Sequence, residues 1–339
     1  MDQQINPGEL ESAWRALAGE SGLEGWRTIP IAAQFRCRIL AGRHFPGNEE
    51  AVLFGFSSVP IPAATGFPVG HGFAVRTVDL GDVFGGCTWF GLVRQTAGRL
   101  EFFEMMANDV VSTLITSGTF EDDKLLAVFL GRVRAWQIFM ERDREGVLGA
   151  EAEIGLHGEL VVLLSLLKSG VNPALAVEGW CGPLDGVHDF RFPSGAMEVK
   201  TTANSGTFPA SVSSLEQLDD SLVGSLFLVG VRLRLDPEGE SLPRRVEMIR
   251  KVLQPDLSVL ATFDTRLLHA GFFPSLSGHY SRAFVHEMTR IFMVGEGFPK
   301  ITHGSVHKAI RRARYEIDLD LVDCTEISLS TVLPAIGAL

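Results

Sequence analysis

The sequence predicts an α/β (α+β) protein in two parts: a β-rich domain over residues 1–146 and, over 147–339, a domain in which helices pack against a sheet. Three observations carry that expectation. Before residue 94 the apolar residues fall in short runs rich in aromatic and β-branched side chains, each bounded by Gly, Pro or Asn. Residues 121–142 then switch to helical spacing, and the charged run Glu141-Arg142-Asp143-Arg144-Glu145-Gly146 ends the helix and marks the boundary. Beyond it come an apolar helix, a hairpin and a strand that is apolar on both faces.

Taken in order, Leu10, Trp14 and Leu17 recur at helical spacing ahead of Gly22 and Gly25. Four runs read as strands of a small antiparallel domain, 34–40, 51–56, 73–78 and 88–93. The stretch 59–72 is too rich in Pro and Gly for regular structure. Met105, Val110, Leu114 and Ile115 suggest a helix, and Leu125, Phe129, Val133, Trp136 and Met140 define the stronger one that follows.

The second domain opens with a helix over 150–168, apolar nearly all round, that stops at Ser169-Gly170 with Asn172-Pro173 beyond. A strand is expected over 174–177 and a turn at Trp180-Cys181-Gly182-Pro183. Two strands follow, 187–192 and 196–202, joined by Pro193-Ser194-Gly195. Alternation places Asp189 and Arg191 opposite Phe190 and Phe192, and Glu198, Lys200 and Thr202 opposite Met197 and Val199. Pairing Phe192 with Met197 across a four-residue loop unites the apolar rows, so that Arg191 faces Glu198 and Asp189 faces Lys200. The remaining expectations are a short helix over 213–218 capped by serine, a central strand over 225–235, and helices over 241–253 and 256–268. Past residue 280 the pattern gives short strands and turns.

The chain carries 30 Lys and Arg against 41 Asp and Glu, a net charge of -11, which argues against nucleic-acid binding through bulk positive potential. Local basic clusters exist at Arg232, Arg234, Arg244, Arg245, Arg250 and Lys251, and again at Lys308, Arg311, Arg312 and Arg314. Each reads first as a solvated face. Cys37, Cys87, Cys181 and Cys324 form no Cys-x-x-Cys pair, so neither a zinc site nor a disulfide framework is indicated. With no signal-peptide pattern and no apolar run long enough to span a bilayer, a cytoplasmic protein is expected.

The chemistry is expected where Glu159, Asp189, Glu198 and Lys200 meet. Asp189, Glu198 and Lys200 alone read as ordinary solvent-facing charges of a hairpin, whereas Glu159 is an acid within the most apolar helix of the chain. Together they crowd carboxylates into partly buried surroundings, which requires a compensating positive charge. Lys200 is one, and a divalent cation is another. Two carboxylates plus a main-chain carbonyl suit a hard octahedral cation, so Asp189, Glu198 and the carbonyl of Val199 are the expected ligands, with Glu159 acting through water or on a second ion. Mg²⁺ is the expected cofactor, with Mn²⁺ as its substitute. Lys200 would orient the attacking water or stabilise charge on phosphorus. His157 and His188 are weighed as proton shuttles against a structural role, Gln217 as a phosphate or base contact against local capping, and Thr202 as a support for Lys200.

These residues resemble a known family. Glu159 on a helix, Asp189 on a strand and Glu198-Val199-Lys200 on the next look like the PD-(D/E)XK nuclease superfamily. The wider set of Gly155-Leu156-His157-Gly158-Glu159-Leu160, Trp180-Cys181-Gly182-Pro183, His188-Asp189-Phe190 and Glu198-Val199-Lys200-Thr201-Thr202, together with Ser213-Ser214-Leu215-Glu216-Gln217-Leu218, is similar to a family of bacterial PD-(D/E)XK proteins encoded near restriction and phage-defence genes. His188 stands where the superfamily motif has Pro. The resemblance implies a restriction-endonuclease-like core of mixed sheet flanked by helices and metal-dependent cleavage of DNA phosphodiesters. It also implies residues 1–146 as a recognition or docking module, with a helicase, ATPase, methyltransferase or second copy as partner. The competing expectation is a catalytically inactive subunit that keeps the fold as a DNA-binding or scaffold surface.

Overall fold

The computed structural model describes residues 8–19, 24–32, 37–57, 59, 67–81, 86–117, 121–142, 147–184 and 186–339. The chain divides into two compact units, Met1–Gly146 and Val147–Leu339. Together they form a mixed α/β protein. No helix among the described residues is long and apolar enough to cross a membrane.

The first unit is built on a six-stranded antiparallel sheet. Its strands are β1 (Gly25–Ala32), β2 (Arg38–Phe45), β3 (Glu49–Phe56), β4 (Val69–Gly70), β5 (Phe73–Val78) and β6 (Thr88–Arg94), in the order β1-β2-β3-β6-β5-β4. Helices α1 (Glu9–Leu17), α2 (Leu100–Thr116) and α3 (Asp122–Arg142) accompany it. Trp14 on α1 donates to the carbonyl of Ala51, and Phe129 on α3 packs its ring on Phe54 and Phe56 of β3. β1 was not among the expected strands; its place at the sheet edge accommodates Pro30, which has no N–H to give a ladder. Of the strand expected over 34–40, residues 34–36 lie outside the described residues and the rest begins β2. Of the irregular stretch 59–72, residues 60–66 also lie outside them, while β4 falls within it. Gly70 allows this tight pairing, since a Cβ there would stand within contact distance of the Phe73 ring.

Two buried carboxylates of this unit, Glu50 and Asp109, are paired on both oxygens. Glu50 lies between Arg43, whose Nη2 donates to Oε1 at 2.8 Å, and Arg94, whose Nε donates to Oε2 at 2.6 Å. Asp109 on α2 takes both a forked pair from Arg132 and the indole N–H of Trp136 on α3.

The second unit runs α4 (Ala150–Lys168), α5 (Pro173–Gly179), β7 (Phe190–Phe192), β8 (Gly195–Thr202), β9 (Pro209–Val212) and β10 (Leu226–Ser241). It continues with α6 (Leu242–Leu253), α7 (Leu257–His269), β11 (Ala283–Met293), β12 (Tyr315–Asp318) and α8 (Leu329–Ile336). The main sheet has the order β11-β10-β8-β7, with β8 and β10 parallel and both outer pairs antiparallel. A separate ladder joins β9 to β12. Met197, Val199 and Thr201 turn toward α4, where Gly158 lets the helix close onto Thr201: a Cβ at Gly158 would overlap the threonine hydroxyl. The other face buries Ala196, Leu226, Leu228 and Phe292 against Phe208, Ala210, Val212 and Leu319 from the β9–β12 side. Six apolar residues at the start of β10 are buried on both faces, as a central strand requires.

Three local expectations are corrected. Residues 174–177 form a helix, α5, because Asn172 caps it by accepting from the amides of Ala174 and Leu175 and Pro173 occupies its first turn. Asn172-Pro173 is thus the start of a helix as well as the end of one. Residues 213–218 form no helix. Gln217 Oε1 accepts from both the amide and the hydroxyl of Ser213, folding the segment into a loop that buries Leu215 and Leu218. The hairpin register also differs: Phe190 pairs with Met197, Arg191 with Ala196 and Phe192 with Gly195, leaving a two-residue turn. Gly195 makes this register possible. A Cβ there would stand within 2.4 Å of the Ser225 carbonyl, which accepts from Ala196. The slip of two positions preserves every side chain's face but moves Asp189 from opposite Lys200 to opposite Glu198.

Candidate active site

Asp189 is fixed at the entrance to β7. Its carbonyl accepts from the amides of Cys181 and Gly182, and its carboxylate Oδ2 accepts from the amide of Val199 at 2.7 Å. A residue of an extended strand directs its N–H and C=O toward the same neighbouring strand, so the Val199 carbonyl opens toward Asp189 as well. Glu198, on the same sheet face as Asp189, is 1% exposed. Its Oε1 lies 2.8 Å from Lys200 Nζ, while its buried Oε2 has no hydrogen-bond partner.

Glu159 reaches the group from α4. Its Oε2 accepts from the indole N–H of Trp180 at 2.6 Å, and the Trp180 and Glu178 carbonyls are in turn held by the Arg266 guanidinium from α7. Gly182 sits between the acids: a Cβ on it would stand 2.8 Å from Glu159 Oε2 and 2.9 Å from Asp189 Oδ1.

The electrostatics follow from this crowding. Burial, then the Asp189 charge, raise Glu198 from the usual carboxylate range to about 8, against the pull of Lys200. Burial followed by the Asp189 charge also pushes Glu159 well up, opposed by the Trp180 hydrogen bond. Asp189 is raised by burial, with the Val199 amide and Lys200 working the other way. Three carboxyls raised together, one with an orphaned oxygen, form a site short of positive charge. The donor set of two carboxylates beside a strand carbonyl fits a hard divalent cation. Among the described residues no group of three or more His, Cys, Asp or Glu side chains is arranged to hold a metal, so Glu159 adjoins the pair without completing a three-side-chain set.

The remaining expected residues are placed differently. His157 is fully buried with its ring against Phe284, and burial followed by the Arg245 charge lowers it to about 3. It points away from the acids. His188 is buried, and burial with the Arg191 charge lowers it. Thr202 Oγ1 accepts from the amide of Asn204 and closes the strand end, and the Gln217 carbonyl oxygen is engaged by Ser213. Sequence reasoning missed the hydrogen bond of Trp180, the clamp of Arg266 and the spacing role of Gly182. The conspicuous Trp180-Cys181-Gly182-Pro183 run was the signal for two of these.

A mixed four-stranded sheet carrying an acid at the strand entrance and Glu198-x-Lys200 on the next strand defines the PD-(D/E)XK class. The chain belongs to the family described as "Putative PD-(D/E)XK family member (DUF4420)", whose model matches residues 10–320. No curated protein and no solved structure matches it.

Proposed function

We propose that this protein is a divalent-metal-dependent DNA endonuclease. The observation that supports this best is the juxtaposition of Asp189 and Glu198, both raised in pKa and one with an unpartnered buried oxygen, beside Lys200. Mg²⁺ held by Asp189, Glu198 and the Val199 carbonyl would supply a water of lowered pKa and neutralise phosphoryl charge. The Val199 amide orients Asp189, and Lys200 holds Glu198 in place while its remaining N–H groups are free to position a nucleophilic water or to meet charge developing on the phosphoryl oxygens. Trp180 fixes Glu159 at the border of the site. Restriction or phage defence is the proposed setting, with the first unit recognising DNA or docking a helicase, ATPase, methyltransferase or second copy.

The test is cleavage of plasmid DNA of several methylation states by the full chain with Mg²⁺ or Mn²⁺. Asp189→Ala and Lys200→Ala should each lower the rate by about 10³-fold or more while the thermal midpoint stays within a few degrees. Absence of any cleavage, joined by absence of divalent-metal binding in calorimetry, would instead leave the inactive scaffold.

A further inference from the structure

The segment between β11 and β12 carries Lys308, Arg311, Arg312 and Arg314 within seven positions, and no acid lies between Ile301 and Arg314. All four are exposed, and none has a carboxylate partner among the described residues. The neighbouring cations Arg232, Arg234, Arg250, Arg282, Arg290 and Lys300 are each paired with an acid. In a protein whose net charge is -11, four cations without a carboxylate partner on one loop concentrate positive potential locally.

The loop is also well anchored. Its entry is fixed by His303 on Glu216 at 2.7 Å and by a turn joining Thr302 to Ser305, and its middle by the turn His307–Ile310. Its exit is fixed by Tyr315, whose hydroxyl accepts from the Ile301 amide at 3.0 Å. From Tyr315 the chain enters β12 and reaches Leu319, which packs on Gly230, the register partner of Lys200. The basic segment therefore starts from the same end of the sheet as the carboxylate and lysine group.

We propose that residues 306–314 are a phosphate-binding arm that grips the backbone of a polynucleotide, through Lys308, Arg311, Arg312 and Arg314, and leads it toward Asp189, Glu198 and Lys200. The destination of the strand rests on the nuclease reading above; the gripping does not. Phosphate contacts position a polynucleotide without reading its sequence, which suits a loop of arginines lacking a base-reading helix or strand.

The experiment measures binding of the full chain to a fluorescently labelled DNA duplex, in EDTA so that nothing is cut, over a series of salt concentrations. The variant Lys308→Ser/Arg311→Ser/Arg312→Ser/Arg314→Ser should bind more weakly. Its plot of log affinity against log salt should be shallower by about 4, roughly one for each of the four phosphates no longer neutralised. A charge-keeping variant, Arg311→Lys/Arg312→Lys/Arg314→Lys, should retain the wild-type slope. Parallel titrations with single-stranded DNA and duplex RNA identify which polynucleotide the arm grips. Equal slopes for wild type and the serine variant overturn the proposal, as does an equal loss in the lysine variant, or binding to phosphatidylglycerol vesicles with none to any polynucleotide. Wild-type chain that grips DNA through the arm but never cuts it removes the nuclease reading and leaves the arm standing.

Discussion

Glu50 in the first unit and Glu198 in the second are both buried strand carboxylates, 4% and 1% exposed, and they are treated in opposite ways. Glu50 receives a guanidinium on each oxygen. Glu198 receives one ammonium, faces a second acid and leaves an oxygen bare. A buried ion pair whose lone pairs are all met is architecture, while one left short of positive charge is held that way by the rest of the fold for a task. Burial of a charge therefore says little until its partners are counted.

Isosteric amides should separate the two cases most strongly. Glu50→Gln leaves Arg43 and Arg94 facing a neutral group, and urea unfolding should show the protein destabilised by about 3 kcal/mol. Glu198→Gln removes a carboxylate that its surroundings disfavour, so above pH 8, without metal, the midpoint should rise or hold. A loss as large as that of Glu50→Gln would erase the contrast. The next effect is on pH. Because Glu198 is raised to about 8 when folded, its contribution to stability is complete below its unfolded value near 4.5 and is lost as pH climbs through 8. Calorimetric scans in EDTA should therefore show the thermal midpoint falling across that window, and saturating Mg²⁺ should cancel the fall, since the cation binds the ionised form. A smaller change is expected of Trp180→Phe. Loss of the N–H to Glu159 should cost about 1 kcal/mol in stability and reduce any cleavage rate by several-fold, with Glu159 titrating higher still by infrared spectroscopy of the carboxyl stretch.

The sequence already carried the face assignment of Asp189, Glu198 and Lys200, because alternation along a strand is a local property. It did not carry the register, because the two-residue turn depends on Ser225, far along the chain, approaching Gly195. The same limit explains 174–177: so short a run of mixed propensity could not outweigh the capping by Asn172, which was legible but credited to the preceding helix. His157 looked like a candidate through proximity in sequence to Glu159. Two positions along a helix turn a side chain most of the way to the opposite side, so the histidine faces Phe284. The core strand at 225–235 and helix α4 were legible because their apolar patterns are long.

Gly182 gives the arrangement one more meaning. It contributes no charge and no side-chain donor, yet it sets how large an object can lie between two acids that repel each other. Any side chain grown there would crowd the Glu159 and Asp189 carboxylates and push them from their places, filling the space between them without removing any proposed catalytic group. Gly182→Ala is thus the substitution by which the chain could silence its own site without losing a single reactive atom.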